Sequence, residues 1–525
     1  MDYARAVDQV ISQHLIELRK PGVLSVRPGY QAAGGWLTTK PAIVVNVDRK
    51  QDDLPAQDRL PETIGGFPVD VREASTLHRL RASNPTLYTS VAAAAPPELE
   101  RPTFPYERDL SGQSMAPIAA AVAAARAPSK PEIDYTAPAN SPLDPIDDQV
   151  TITCHASPDA GWPTLKTFLD GTKTRLTVGM YDFTSAHILE TVKSALEGKK
   201  LNLVLDHPPP NKTRDQTDED TVRALQDALG GELAFAWALE RADPKAAQWI
   251  YPNAYHIKVA VRDGSVFWLS SGNWNNSNQP DIDPVNDSAG ASSIAKSSDR
   301  DWHVIVQHQG LASLYEKYLQ NDLKVASANQ AGAAGFAASL DAFAALAEPA
   351  LTIAARAPQQ YFVPVTITGK MKIQPILTPD NYINSILPLI NSATKSFYMQ
   401  TQYIHPSDKQ GDEGLAALIE AVAQKIKRGL DVRLIMSQYE TLDKLELLQG
   451  AGIDLSHVRI QANVHNKGMI IDSETVALGS QNWSADGVIR NRDASLIIYN
   501  EEAAMYWNRI FVHDWVNMAS QHAAD

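Results

Sequence analysis

His256-Ile257-Lys258-Val259-Ala260-Val261-Arg262-Asp263 and His465-Asn466-Lys467-Gly468-Met469-Ile470-Ile471-Asp472 are two copies of one pattern, His-x-Lys followed after four residues by Asp. Each copy runs into a small-residue turn ending in Asn-Trp, Ser270-Ser271-Gly272-Asn273-Trp274 in the first and Gly479-Ser480-Gln481-Asn482-Trp483 in the second. The separation from His to Asn is the same in both. One such string in a long chain arises by chance; two with the same downstream turn at the same offset do not.

The motifs lie in apolar runs, Tyr255 to Val261 and Val464 to Ile471, bounded by turn formers, so both read as strands. Side chains alternate along a strand, which puts His256 and Lys258 on one face and Ile257 and Val259 on the other, with His465 and Lys467 related in the same way. Val266 to Leu269 and Val476 to Leu478 are the next expected strands; they return the chain so that Ser271, Asn273, Ser480 and Asn482 lie near the His-Lys pairs. Two half-sites facing each other offer two imidazoles, two ammonium groups and neutral donors, a set suited to a phosphodiester. Lysines and amides stabilise charge on the non-bridging oxygens, one imidazole attacks phosphorus, and the other protonates the leaving alcohol. That chemistry calls for no metal and no cofactor.

At these residues the chain resembles the phospholipase D superfamily, in which paired HKD motifs form one site between two similar lobes. The resemblance covers roughly residues 150 to 520. It implies a covalent phosphohistidine, with His256 as nucleophile and His465 as general acid, and with Lys258, Lys467, Asn273 and Asn482, joined by Ser271 and Ser480, on the phosphate. Asp301 and Asp493 stand before strands, where the family places an acid that orients the catalytic His. Ser270 occupies a position where the usual turn has Gly; if that position needs positive φ, Ser is strained there. The substrate is left open among phospholipid, nucleic acid and other diesters.

Each assignment has a plainer rival. An isolated strand His is usually structural, but a doubled constellation of this kind points to catalysis. Asp263 and Asp472 lie an odd number of residues from their His and read as turn or structural acids. Trp274 and Trp483 read as core. Lys425, Lys427 and Arg428 read as a solvated helix face. Cys154 is the single cysteine, which excludes an intrachain disulfide and leaves a zinc site without support.

With 525 residues the chain is expected to form about three or four domain-sized units. We divide it into a small N-terminal accessory unit of α/β or α+β type (1–85), a Pro/Ala-rich linker (86–149), a first lobe (150–325), a connector rich in Ala, Gly and Ser (326–355) and a second lobe (356–525). Arg175 to Tyr181, a helix from Ala186 to Leu196 and a strand from Leu201 to Leu205 precede the first motif; Ser396 to Tyr403, a helix from Leu415 to Ile426 and a strand from Val432 to Met436 precede the second. The expected fold is therefore α/β, two similar lobes of sheet flanked by helices. The stretch Leu60 to Val71 is similar to the opening piece of some bacterial trypsin-like proteases, but no Gly-Asp-Ser-Gly segment follows, so peptidase activity is not expected. More residues separate Asn273 from Asp301 than Asn482 from Asp493, and the extra stretch, Asn275 to Ser298, is expected to be a mobile loop at the mouth of the site.

The N-terminus has no basic segment followed by an apolar one, and no stretch is long and apolar enough to span a bilayer, so a cytoplasmic location with peripheral membrane contact is expected. The net charge of -14 disfavours a counterion-release partner such as nucleic acid. A phospholipid head group is the favoured substrate, a metal-independent nuclease is the main rival, and a catalytically idle binding module is the rival of another class. Oligomeric state is not legible in the sequence.

Overall fold

The computed structural model describes residues 2–51, 53–85, 88, 104–111, 135–206, 215–238, 254–328, 360–407 and 409–521. Among them the N-terminal unit is a five-stranded sheet of β1 (Val23–Ala33), β2 (Trp36–Val47), β3 (Thr63–Ile64), β4 (Phe67–Glu73) and β5 (Arg108–Asp109) in the order β3-β4-β2-β1-β5. The helix Asp2–Gln13 covers it, with Val7 and Ile11 fully buried against Val26, Ile43 and Val45. This unit rests on the second lobe through charge. Arg27 of β1 reaches Asp443 and Glu446, on the helix Leu442–Gly450, at 2.7 and 2.8 Å, and Arg72 of β4 meets the same two carboxylates at 3.1 and 3.2 Å.

The two lobes share one 15-stranded sheet. The first lobe supplies β6 (Ile146–Ser157), β7 (Arg175–Met180), β8 (Lys200–Leu205), β9 (Leu233–Trp237), β10 (Lys258–Arg262), β11 (Val266–Ser270) and β12 (Asp301–Gln307). The second supplies β13 (Val365–Thr378), β14 (Ser396–Thr401), β15 (Asp431–Ser437), β16 (Val458–Gln461), β17 (Lys467–Ile471), β18 (Thr475–Gly479), β19 (Asp493–Tyr499) and β20 (Ala519–Ser520). The order is β20-β16-β15-β14-β17-β18-β19-β13-β6-β12-β11-β10-β7-β8-β9, so each lobe repeats the other outward from a central antiparallel pair, β13 with β6. That ladder runs from Val365 opposite Cys154 to Ile373 opposite Ile146.

Alternation along these strands builds three layers of core. Val259, Val261, Val304 and Val306 of the first lobe and Ile470, Val476, Leu496 and Ile498 of the second face a shared core. Tyr315 and Leu319 of the helix Gln309–Ala328, with Trp507 and Ile510 of the helix Glu501–His513, fill it. The opposite faces carry Val178, Ala260 and Trp268 under one set of helices and Met399, Met469 and Ala477 under another.

Several expectations shift. The strands expected from Tyr255 and Val464 begin at Lys258 and Lys467; the residues before them leave the sheet and make single bridges, Tyr255 with Arg492 and Val464 with Arg300. Part of the proposed linker is structure: residues 108–109 close the N-terminal sheet, and β6 starts at Ile146, ahead of the boundary drawn at 150. Lys425 is buried, its ammonium donating to the carbonyls of Asn391 and Ala393 at 2.8 and 2.7 Å, while Lys427 and Arg428 are exposed. Asn275 to Ser298 is not a plain loop, since it contains the helix Ser288–Ser297 and buries Asn278 and Gln279. Most of the connector lies outside the described residues, as do 89–103 and 112–134 of the linker.

Candidate active site

β10, β11 and β12 are antiparallel neighbours, so the start of the first, the end of the second and the start of the third meet at one edge of the sheet. β17, β18 and β19 do the same in the second lobe. The structure thereby gathers Lys258, Ser271 and Asp301, and Lys467, Ser480 and Asp493, with His256 and His465 on the segments just before β10 and β17. His256, Lys258, His465 and Lys467 are at most 13% exposed at the side chain or residue level, deep in the seam between lobes.

The acids cross the seam. Nδ1 of His256 lies 2.8 Å from Oδ1 of Asp493, and Nδ1 of His465 lies 3.0 Å from Oδ1 of Asp301. Burial works to raise the pKa of both carboxyls, but the facing imidazoles and the lysines outweigh it and hold both below the usual carboxylate range. An ionised carboxylate only accepts, so Nδ1 carries the proton in each ring and Nε2 keeps its lone pair. Burial, followed by the adjacent Lys258, lowers the His256 pKa to about 3; burial, followed by Lys467, lowers that of His465 to about 4. Both rings are neutral and nucleophilic in the free site. Lys258 donates to the carbonyl of His256 at 2.6 Å, Lys467 donates to that of His465, and burial drives the Lys258 pKa well below its ordinary value.

Ser271 and Ser480 correct the expectation that they bind phosphate. Their hydroxyls donate to Asp301 and Asp493 at 2.6 Å each, and the same oxygens accept from the N–H of Trp302 and of Ala494 at 3.1 Å. Each serine therefore fixes the acid that fixes the opposite lobe's histidine. Asn273 and Asn482 are 5% exposed at the same edge. Asp263 and Asp472 stand apart from the site at positive φ of 54° and 55°. Asp263 accepts from the backbone of Lys173, Thr174 and Arg175, and Asp472 from that of Thr394, Lys395 and Ser396. Trp274 and Trp483 are core, 0% and 1% exposed.

Ser270 is not strained, because its position lies in extended strand and neither Ser270 nor Gly479 has positive φ. Its hydroxyl bonds Nδ1 of His303 at 2.6 Å and the Gly272 backbone. In the second lobe Gly479 stands in the place of Ser270 and Ser495 in the place of His303, and a Cβ on Gly479 would run into the Ser495 hydroxyl.

Sequence reasoning missed two arginines. Arg300, just before Asp301, is 2% exposed and bonds Asp159 of its own lobe and, at 2.9 Å, Asp514 of the other. Arg492, just before Asp493, is fully buried and bonds Asp380 of its own lobe at 3.0 Å and Asp322 of the other at 2.8 Å. The backbone joins in, with Arg300 N–H to Asn463, His465 N–H to Arg300 and Arg492 N–H to Ala254. The available signal was an Arg preceding each of two equivalent acids. A cavity of about 360 Å³ opens beside the extra stretch, lined by His187, Asp215, Asn276, Asp281 and Ile294; none of these is a residue of the His-Lys constellation.

Residues 386–515 match the family model described as cardiolipin synthase, PLD-like domain. The chain is 30% identical over 131 residues to a phospholipase D of Rickettsia conorii and 28% identical over 170 residues to that of Rickettsia felis. These matches take in 24% and 32% of this chain and 59% and 78% of the relatives. Among solved structures, the phosphatidylserine synthase of Haemophilus influenzae aligns with a TM-score of 0.47 at 13% identity, over 70% of this chain and 87% of that one. By the match to that family model and to those two relatives, with the paired His-x-Lys motifs at one seam, the chain is similar to members of the phospholipase D superfamily.

Proposed function

We propose that the chain is a phospholipase D-type phosphodiesterase that works through a covalent phosphohistidine. The observation that carries this reading is the pair of buried imidazoles, each with Nδ1 tied to an acid of the opposite lobe and Nε2 left with its lone pair. The bound anionic diester favours the imidazolium at His465, which takes a proton from solvent at Nε2; Nε2 of His256 then attacks phosphorus, the bond to the leaving alcohol breaks, and that alcohol takes the proton from His465. In the second step His465, now neutral, takes a proton from water or an acceptor alcohol, whose oxygen displaces His256 from phosphorus. Lys258 and Lys467 offset the charge that builds on the non-bridging oxygens.

A phospholipid head group is the favoured substrate. The net charge of -14 weighs against nucleic acid. Ile294, 48% exposed on the helix of the extra stretch, offers an apolar contact to a lipid surface. No helix among the described residues is long and apolar enough to cross a membrane, and peripheral contact from the cytoplasm is the arrangement proposed.

The test is a panel of phosphatidylcholine, cardiolipin, single-stranded DNA and bis(p-nitrophenyl) phosphate, assayed in EDTA. Head-group release from phospholipid is expected, together with cleavage of the small diester, and His256→Ala and His465→Ala are each expected to abolish both. Rapid alkaline quench and peptide mapping should find phosphate on His256. Cleavage of DNA alone would replace the lipid reading with the nuclease, and loss on chelation restored by zinc or magnesium would remove the metal-free mechanism.

A further inference from the structure

The two half-sites correspond residue for residue until their acids are compared atom by atom. Oδ1 of Asp493 accepts from His256 and from Ser480, while its Oδ2 is buried with no hydrogen-bond partner among the described residues. Oδ1 of Asp301 accepts from His465 and Ser271 in the same way, but its Oδ2 accepts from Nδ2 of Asn278 at 2.9 Å. Asn278 is 1% exposed and belongs to the stretch that lengthens the first lobe between Asn273 and Asp301. The same amide nitrogen reaches Oδ2 of Asp299 at 3.0 Å, and its oxygen accepts from the Asn273 N–H at 3.0 Å. One side chain thus ties together an acid of the dyad, a neighbouring carboxyl and the backbone of a candidate phosphate ligand.

Resting on the reading under Proposed function, we propose that Asn278 is a positioning residue that makes the two catalytic histidines unequal, fitting His465 for proton donation and leaving His256 as nucleophile. A hydrogen bond from a neutral amide draws charge from the carboxylate it meets. Asp301 therefore stabilises an imidazolium at His465 less than an unshared carboxylate does, and a less stabilised imidazolium is the stronger acid toward a leaving alkoxide. Asp493, with one oxygen unshared, keeps more charge toward His256, which favours attack and supports the positive charge that phosphorylation puts on the ring. The charged and titratable groups facing Asp301 are His465, Lys467, Lys258, His303 and Asp299; those facing Asp493 are His256, Lys258 and Tyr382. Burial and the neighbouring Asp301 raise the pKa of Asp299 to about 7, which places the Asn278 amide between two carboxyls that would otherwise repel.

The experiment uses the full chain and two lipids that differ only in the leaving alcohol, phosphatidylcholine and phosphatidyl-p-nitrophenol. p-Nitrophenolate leaves without a proton, so it reports attack, whereas choline requires the acid. Asn278→Ala should lose at least about tenfold more kcat on phosphatidylcholine than on the nitrophenyl lipid, a fraction of what a general acid contributes. The His465 imidazole, followed by NMR, should titrate at higher pH than in the parent. Asn278→Asp keeps an acceptor for the Asn273 N–H and should shift in the same sense, so the result does not hang on one variant folding. Equal losses on both lipids, or a shift at His256 with none at His465, would overturn the proposal while the phosphodiesterase reading stood. A parent enzyme that cleaves neither lipid would overturn both.

Discussion

Asp493 of the second lobe lies 2.8 Å from Nδ1 of His256 in the first, so the acid that sets the tautomer of each histidine comes from across the seam. Asp493→Asn should therefore damage the first lobe's histidine and Asp301→Asn the second's. We expect Asp493→Asn to slow formation of the phosphoryl-enzyme with any leaving group, and Asp301→Asn to slow it chiefly where the leaving alcohol needs a proton. Single-turnover rates on the two leaving groups check this; the opposite pattern would reverse the roles of the histidines.

Arg300 and Arg492 each bind one carboxylate from each lobe, in interior positions where a lone charge is costly. Arg300→Ala or Arg492→Ala leaves two buried acids without their cation and should destabilise the chain by about 3–5 kcal/mol. Urea unfolding of each variant measures it. A change below about 1 kcal/mol would mean that the seam does not depend on the clamps.

Burial holds five histidines below the free value of about 6.5: His256 at about 3, His303 and His465 at about 4, His155 well below, and His187 lowered as well. As pH falls from about 6.5, the unfolded chain takes up protons that the folded chain refuses, so the unfolded state binds more and stability drops. Asp299, raised to about 7, and Asp159 and Asp380, raised by burial from the ordinary carboxylate range, work in the other direction, three groups against five. The thermal midpoint should fall between pH 6.5 and pH 4.5, and His303→Gln should lessen the dependence. A flat midpoint over that interval would count against these neutral buried rings.

Gly479 and Ser270 predict an asymmetric pair of substitutions. Gly479→Ser brings a Cβ against the Ser495 hydroxyl and the Ala494 carbonyl and should cost about 1–3 kcal/mol. Gly479→Ser combined with Ser495→Gly should recover part of that loss, because it removes the Ser495 side chain while the Ala494 carbonyl stays in the way. Thermal melts of the parent and the two variants decide.

The doubled motif, the repeat of strand, helix and strand before each copy, and the turn acids Asp263 and Asp472 were legible because their determinants are local: spacing, alternation and turn chemistry. Which acid serves which histidine was not. Asp301 and His465 are brought together only by the seam, and nothing near either residue encodes the other. Ser271 and Ser480 were misassigned because a hydroxyl beside both a phosphate site and a carboxylate suits either, and the choice depends on distance. The stretch from Asn275 looked like a loop because its side chains are polar. Asn278 and Gln279 are nevertheless interior, their amides satisfied by Asp299, Asp301 and His303.

The ladder between β13 and β6 has a mechanical consequence. Joined from Val365–Cys154 to Ile373–Ile146 and sharing a core on one face, the lobes form a fixed jaw among the described residues. Swinging the halves apart would break a run of backbone hydrogen bonds along with both arginine clamps, so substrate must enter along the rim. The width of the cleft is then set when the chain folds.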